Sequence, residues 1–500
     1  MRGAQTASRS RAARLAGSLV ILLAGCAEQA APEASFQHYP ALRDGLARVE
    51  AELAAEAAAN TTVLVEVEAE HVAGLVHMLA NSTGRTRDLP LEEIGTLGDG
   101  ATPLLAALAA KSDGDANQRL AACELLARLG TPLAAEHLLQ LCEKDPASWI
   151  RAQAAWRLGE VEADWAVGRL LLRLKYEVDE ETAIWIASTL SAQGNHSGLD
   201  TLWRLERQAT TAELRARAGE RLTSLAVQAG IDDPVLHGDL WARADPERRL
   251  YREAPSARLR QVVWGSIEML SGEHFQLRGV DDARFVLSRM GAWVTDPLCQ
   301  ALHDEDVYVR VHAAQCIERM GPRGVDAGPA LLQALDDPTL AGDAAAALGA
   351  IADPAAEPVL RRLLGDTQSA HELRVACAAS LGRLGLGDSA AALTAVTKST
   401  APLDLRQTSA NALVALGLGN GVASFLRDLL VDPLADRPAA EATLERWMRT
   451  LESEASRQLL EAWLVHAPPP GIIHTADEAR ARIAARHKLL VEVGELPPGA

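Results

Sequence analysis

The sequence predicts an all-α protein, an α-solenoid of about ten helix-turn-helix repeats with a period of about 32 residues, in two arms with an irregular insertion between them. Three observations predict it. Ala and Leu dominate, aromatic residues are only 4%, and β-branched runs are scarce, so there is little material for sheets. Five hundred residues exceed what one hydrophobic core organises, which favours several domains or growth by repetition. Finally, one helical pattern recurs at near-constant spacing, as units do that bury a continuous core only by stacking.

The pattern is clearest at residues 304 to 321, DEDVYVRVHAAQCIERMG, an acidic turn leading into a helix that stops at Gly321. With Arg310 as position zero, the same pattern recurs at Arg119, Arg151, Ala183, Arg215, Arg260, Arg310, Ala341, Arg374, Arg406 and Arg437. The steps are 32, 32, 32, 45, 50, 31, 33, 32 and 31. Position seven is Leu or Ile in all ten: Leu126, Leu158, Leu190, Leu222, Ile267, Ile317, Leu348, Leu381, Leu413 and Leu444. Position ten is apolar in nine of ten, the exception being Gln193. Positions three and four are mostly small, as in Ala154-Ala155, Ala313-Ala314 and Cys377-Ala378. At about 100° per residue, positions zero, three, four, seven, ten and eleven share one face. Small residues there let a neighbouring helix approach closely while Leu or Ile fills the space beside them.

Between anchored helices lie shorter amphipathic segments such as Pro329 to Leu335, followed by acidic turns such as Asp336-Asp337-Pro338. The acids suit the next helix's N-terminus, as caps and as charges facing the positive end of its dipole. Glycine at position eleven (Gly130, Gly194, Gly321, Gly385, Gly417) suits a helix end.

In chain order, residues 1–25 read as an export signal. Arg2, Arg9, Arg11 and Arg14 precede an apolar run from Leu15 to Leu23, too short to span a bilayer stably. Residues 26–40 read as a tether and 41–87 as an N-terminal helical cap. The first arm covers 88–230 and the second 283–465. Between them, 231–282 is an irregular insertion or hinge holding one repeat helix, because the steps of 45 and 50 fall there. Pro468-Pro469-Pro470 then breaks the chain, leaving 466–500 with a final helix. No segment after the signal offers some 18 consecutive apolar residues, so the rest is expected to be soluble.

Leu23-Ala24-Gly25-Cys26 resembles the lipobox of bacterial lipoproteins. The resemblance implies cleavage before Cys26 and acylation of its thiol and amine, with several acyl chains holding the protein at a membrane. Ala27 stands where a retention Asp would, which implies an outer membrane facing the periplasm if the host has one. Loss of the four signal arginines would take the formal charge from −18 to −22, a surface unsuited to nucleic acid or to anionic headgroups.

The repeat itself resembles the short HEAT-like repeats of bacteria, the kind also found in phycobilisome-lyase-type proteins. The match rests on turn acid Asp306, Arg310, the Ala313-Ala314 pair and Gly321, and it covers roughly residues 88 to 465. The resemblance implies that the position-zero arginines form a structural ladder by bonding a turn acid of the adjoining repeat, here Asp306, Asp337 and their equivalents. The arginines concerned include Arg119, Arg151, Arg215, Arg310, Arg374 and Arg406. Thr102-Pro103-Leu104 and Thr131-Pro132-Leu133 look ankyrin-like but do not recur at an ankyrin period.

No catalytic constellation stands out. Gly385-Leu386-Gly387 and Gly417-Leu418-Gly419-Asn420-Gly421 follow helices rather than strands, so they read as helix-ending turns and not phosphate loops. His71 and His77 lack metalloprotease spacing, and Gly194-Asn195-His196-Ser197-Gly198 lacks a nucleophile elbow. The five cysteines beyond Cys26 form no zinc spacing and read as core packing. Cys299 and Cys316 lie on neighbouring predicted helices; an oxidising compartment could join them, and spacing alone does not decide it. No cofactor or metal is expected.

Positions two, five and nine point away from the core and are mostly polar, Gln153 and Glu160 among them. Trp156, at position five, and Trp185, at position two of the next anchored helix, interrupt that pattern and are expected near one another. Tryptophans in an exposed row are interface anchors, or else they fold over their own helix. Seven of the ten tryptophans fall between 149 and 264, which places the expected contact surface in the first arm. The function expected is a lipid-anchored envelope scaffold, not an enzyme, that binds another protein or peptide on the concave face. The alternative, by analogy with bilin lyases, is an enzyme or cofactor-handling protein.

Overall fold

Nine of the ten position-seven residues are described, from Leu126 to Leu413, and each is at most 1% exposed. Within each unit those Leu and Ile side chains lie in the core between stacked helices. The computed structural model describes residues 51, 67–228, 256–271 and 277–418. Cys26, the signal, the tether, residues 231–255, Arg437, Leu444 and everything from 419 onward lie outside the described residues. Among the described residues every regular element is a helix. The chain divides into two units at Arg310, rather than at the insertion.

The first unit contains α1 (Ala69–Ala80), α2 (Asp88–Leu97), α3 (Thr102–Ala110), α4 (Ala116–Leu129), α5 (Pro132–Lys144), α6 (Ser148–Leu158), α7 (Val167–Tyr176) and α8 (Glu180–Ala192). It continues with α9 (His196–Gln208), α10 (Ala212–Gln228), α11 (Ala257–Glu268), α12 (Leu277–Leu287) and α13 (Thr295–Ala301). The division at Arg310 falls inside α14 (Val307–Met320). Helices α3 and α4, α5 and α6, α7 and α8, and α9 and α10 pack as pairs, while α4, α6, α8 and α10 form a row of second helices. Turn chemistry starts them: Asp115 accepts from the Gln118 N–H, Thr131 from Ala134 N–H ahead of Pro132, and Asp179 from Thr182 N–H. Gly130 ends α4 at φ 63°, a conformation cheap for glycine.

The position-zero arginines do two jobs. Arg119 is 3% exposed; its Nε donates to the Ala109 carbonyl in the last turn of α3, and its Nη2 to Asp145 at 2.5 Å in the next turn. Arg151 pairs with Glu177 through two bonds of 3.0 Å and also donates to the carbonyls of Asp145 and Pro146. Arg215 donates to the Ala209 carbonyl. Each cation therefore meets carbonyls left over at or just past a preceding helix end, where the dipole is negative.

The described part of the insertion is packed on the first arm. Ser256 donates through its N–H and hydroxyl to buried Asp164 at 2.9 and 2.6 Å, Lys175 and Tyr176 both donate to Asp282 at 2.7 Å, and Asn195 donates to the Arg289 carbonyl at 2.9 Å. Gly168 makes room for it. A Cβ there would stand 2.9 Å from Met290 Cε and 3.3 Å from Val262 Cγ1. So α11 and α12 sit against α7 and the turn before it, and the array does not simply run on from Arg215 to Arg260.

The second unit contains α14 from Arg310, then α15 (Gly328–Ala334), α16 (Ala341–Ile351), α17 (Glu357–Gly365), α18 (His371–Leu384), α19 (Ala390–Thr397) and α20 (Leu403–Ala415). Helices α16, α18 and α20 lie side by side, each backed by its shorter partner. Arg310 pairs with Asp337 at 3.1 Å. Arg374 donates to the Leu364 carbonyl at the end of α17, and Arg406 to the Thr397 carbonyl at the end of α19. Position eleven after Ala341 is Ala352, which holds the left-handed conformation, φ 57°, that glycine takes in the neighbouring units.

Successive anchored helices approach closely one turn beyond the small pair at positions three and four. Position eight of one anchored helix meets position six of the next. A Cβ on Gly159 would be 3.0 Å from Thr189 Oγ1, one on Gly349 would be 2.5 Å from Ser380, and one on Gly382 would be 2.7 Å from Ala412. At two of these crossings the position-six hydroxyl also donates to the position-four carbonyl of the previous helix, Thr189 to Ala155 at 2.5 Å and Ser380 to Ala345 at 2.7 Å.

Candidate interaction face on the second helices of the first unit

Helix α6 brings Trp156 to the side away from the core, where it is 37% exposed, and α8 brings half-buried Trp185 beside it. The two rings stack with centroids 5.3 Å apart and planes 30° from parallel. A guanidinium closes each end of the stack. The Arg157 carbon lies 4.4 Å from the Trp156 centroid, and the Arg221 carbon, from α10, lies 4.6 Å from the Trp185 centroid. Cation-π contact of this kind gives about 0.5–1 kcal/mol at exposed sites. Three successive second helices thus contribute one column, Arg157, Trp156, Trp185 and Arg221.

Carboxylates surround it. Arg157 bridges Glu124 and Glu160, each at 3.0 Å, and Glu124 also receives Arg87 at 2.6 Å. Arg217 pairs with Glu181. Gln153 is half-buried one turn before Trp156, and Glu160 is exposed just past the end of α6. Gln153, Trp156 and Glu160 therefore share one helix face, with Trp185 across the seam.

The other tryptophans are placed differently. Trp165 and Trp264 are 6% exposed and belong to the core, and half-buried Trp203 packs beside the cluster of Ile184, Leu202 and Leu222 with Arg207 over its ring at 3.7 Å. Trp149 is exposed, with Arg119 5.4 Å from its centroid, and Trp241 lies outside the described residues. A count of tryptophans along the chain could not separate these roles. Helix position could, because Trp156 and Trp185 occupy outward positions.

The polar interior is structural. Burial would push the Glu177 carboxyl up, but Arg151, the Asp179 N–H and Arg173 together hold it down at about 2. Arg169 sits between Glu136, at 2.8 Å, and Glu143, at 2.5 Å, tying α7 to α5. Burial pushes the thiols of Cys123, Cys142 and Cys377 up to about 12, so they are protonated and unreactive at neutral pH. No disulfide joins any of the five described cysteines. Among the described residues no three His, Cys, Asp or Glu side chains are placed to hold a metal ion, and no helix is long and apolar enough to cross a membrane.

The HEAT-repeat family model matches residues 72–159, 295–371 and 328–413. The first match begins at residue 72 in α1, so repeat character starts before residue 88. The fold is an all-α solenoid of HEAT repeats. Among solved structures, human deoxyhypusine hydroxylase in complex with glycerol is similar at 18% identity over 66% of this chain and 99% of that one, with a TM-score of 0.23. Kap121p bound to Ste12p is similar at 14% identity over 85% of this chain, with a TM-score of 0.33, and the match spans 57% of that chain's length. An engineered protein is similar at 18% identity over 77% of this chain and all of that one, with a TM-score of 0.26. No curated protein matches the chain.

Proposed function

We propose that this chain is a lipid-anchored scaffold of the bacterial envelope that binds another protein or peptide on the second-helix face of its first arm, without turnover. A HEAT solenoid presents a row of parallel helices wide enough for an extended partner. The observation that carries the reading is the Trp156–Trp185 stack, an aromatic column with one ring 37% exposed on an otherwise polar, ion-paired face. Large aromatics and Arg in such a setting are typical binding hot spots. The anchor rests on the signal and on Leu23-Ala24-Gly25-Cys26, with Ala27 favouring the outer membrane and a periplasmic orientation.

The test is a pair of variants in cells. Trp156→Ala is expected to abolish crosslinking of a partner to α6 while lowering stability by only about 1 kcal/mol, the scale of one aromatic pair. Cys26→Ala is expected to release the chain from the membrane fraction. Retained partner crosslinking in Trp156→Ala would remove the face from consideration, and retained membrane association in Cys26→Ala would remove the lipid anchor.

A further inference from the structure

Charge accounting around the tryptophan column leaves one cation over among the described residues. Arg157 is neutralised by Glu124 and Glu160, and Arg217 by Glu181. Among the described residues Arg221 has no ion-pair partner; its contact is the Trp185 ring. Its Nε is buried without a hydrogen-bond partner, so the guanidinium is partly stripped of water and has received only an aromatic face in return. A charge taken from water without a counter-charge is held at a cost, and that cost is recovered when a carboxylate arrives. Arg221 lies over the Trp185 ring and carries further N–H groups beyond the buried Nε, and a guanidinium can take a carboxylate through such groups in two parallel bonds.

The farther ring of the column sharpens this. Trp156 is the exposed apolar ring, and Arg221 lies beyond the half-buried Trp185 with which it stacks. We infer that the first arm takes a peptide segment that lays an apolar side chain on Trp156 and presents the carboxylate of a nearby Asp or Glu to Arg221. This rests on the second-helix face being the contact surface and adds the chemistry of what it contacts. Exposed Glu220, next to Arg221 on α10, opposes the incoming charge and limits affinity.

The experiment is selection of a displayed random dodecapeptide library on the full chain, followed by affinity measurement for the peptides obtained. Peptides carrying Asp or Glu a few residues from Leu, Ile, Phe or Trp are expected. Replacing that acid by its amide should weaken binding to the wild type about tenfold, the scale of a charge-assisted hydrogen bond. The same replacement should change nothing for Arg221→Gln, and Glu220→Gln should tighten acidic peptides about twofold. Peptides that lose binding in Trp156→Ala but show no preference for an acid, or keep that preference in Arg221→Gln, would overturn the carboxylate inference and leave the face intact. Peptides indifferent to both Trp156→Ala and Arg221→Gln would overturn the face itself. A preference for a free peptide C-terminus over an internal Asp or Glu would overturn the side-chain assignment.

Discussion

Ala352 is the sharpest place to test the repeat geometry. It ends α16 in the left-handed region at φ 57°, where Gly130, Gly321 and Gly385 stand in equivalent positions with φ of 63°, 60° and 71°. A left-handed conformation costs an L-residue roughly 1–2 kcal/mol. Glycine escapes that cost but loses more conformational entropy on folding, by roughly 0.5–1 kcal/mol. Ala352 is exposed, so removing its methyl sacrifices little packing. Ala352→Gly is therefore expected to stabilise the second unit by about 0.5–1 kcal/mol. The mirror experiment is Gly385→Ala, where a Cβ meets no atom within 4 Å and the backbone alone bears the change; it is expected to cost about 1 kcal/mol. Amide hydrogen exchange in the last turns of α16 and α18 reads both locally, which matters because a chain of many repeats does not unfold in one step. Destabilisation by Ala352→Gly, or a neutral Gly385→Ala, would refute the argument that repeat geometry and not local sequence imposes the turn.

Arg151→Met should cost on the order of 3 kcal/mol at pH 7 by leaving buried Glu177 with too few cations. Because the folded carboxyl titrates at about 2, below its ordinary 4.5, the stability it contributes is present above 4.5 and lost as pH falls toward 2. Urea midpoints from pH 7 to 3 should show a shallower acid loss in the variant, because without Arg151 the folded carboxyl titrates closer to its ordinary value, so the gap from the wild type narrows as pH falls. Gly382→Leu should destabilise α18 and α20 by roughly 1–3 kcal/mol, because its Cβ alone would stand 2.8 Å from Ala412 Cα; hydrogen exchange in α20 checks it. Gly168→Leu should expose α11 and α12 to proteolysis while leaving α4 to α6 protected, since Met290 and Val262 occupy the space its side chain needs.

The solenoid was legible because its signal is local and repeated. Leu or Ile at position seven, small residues beside it and glycine at position eleven are enforced at each stacking step by the same steric needs. The close crossings between anchored helices were less legible. Gly159 meets Thr189 and Gly349 meets Ser380, and these positions vary between units, from Leu125 and Cys316 at position six to Glu318 at position eight. Reading them requires knowing which helix lies alongside. The placement of residues 256–271 and 277–290 was hidden for a related reason: it depends on Gly168 and Asp164, roughly a hundred residues earlier, and no periodic pattern links such distant positions. At the candidate face, outward helical position picked out Trp156 and Trp185, whereas Arg157 and Arg221, both at position six, carry no outward signature in the sequence. Their role follows from the rings they cover.

The central claim is that the second-helix face of the first arm is where a partner binds. The most direct measurement places a photo-crosslinking amino acid at Gln153, at Glu160 and, as a control on the first-helix side, at exposed Arg204 of α9, in the full chain in cells. The account predicts one partner joined from positions 153 and 160, absent from position 204, and lost from all positions when Trp156→Ala is combined with Trp185→Ala. The same adduct from position 204 as from 153 and 160, or adducts that survive loss of both tryptophans, would contradict it.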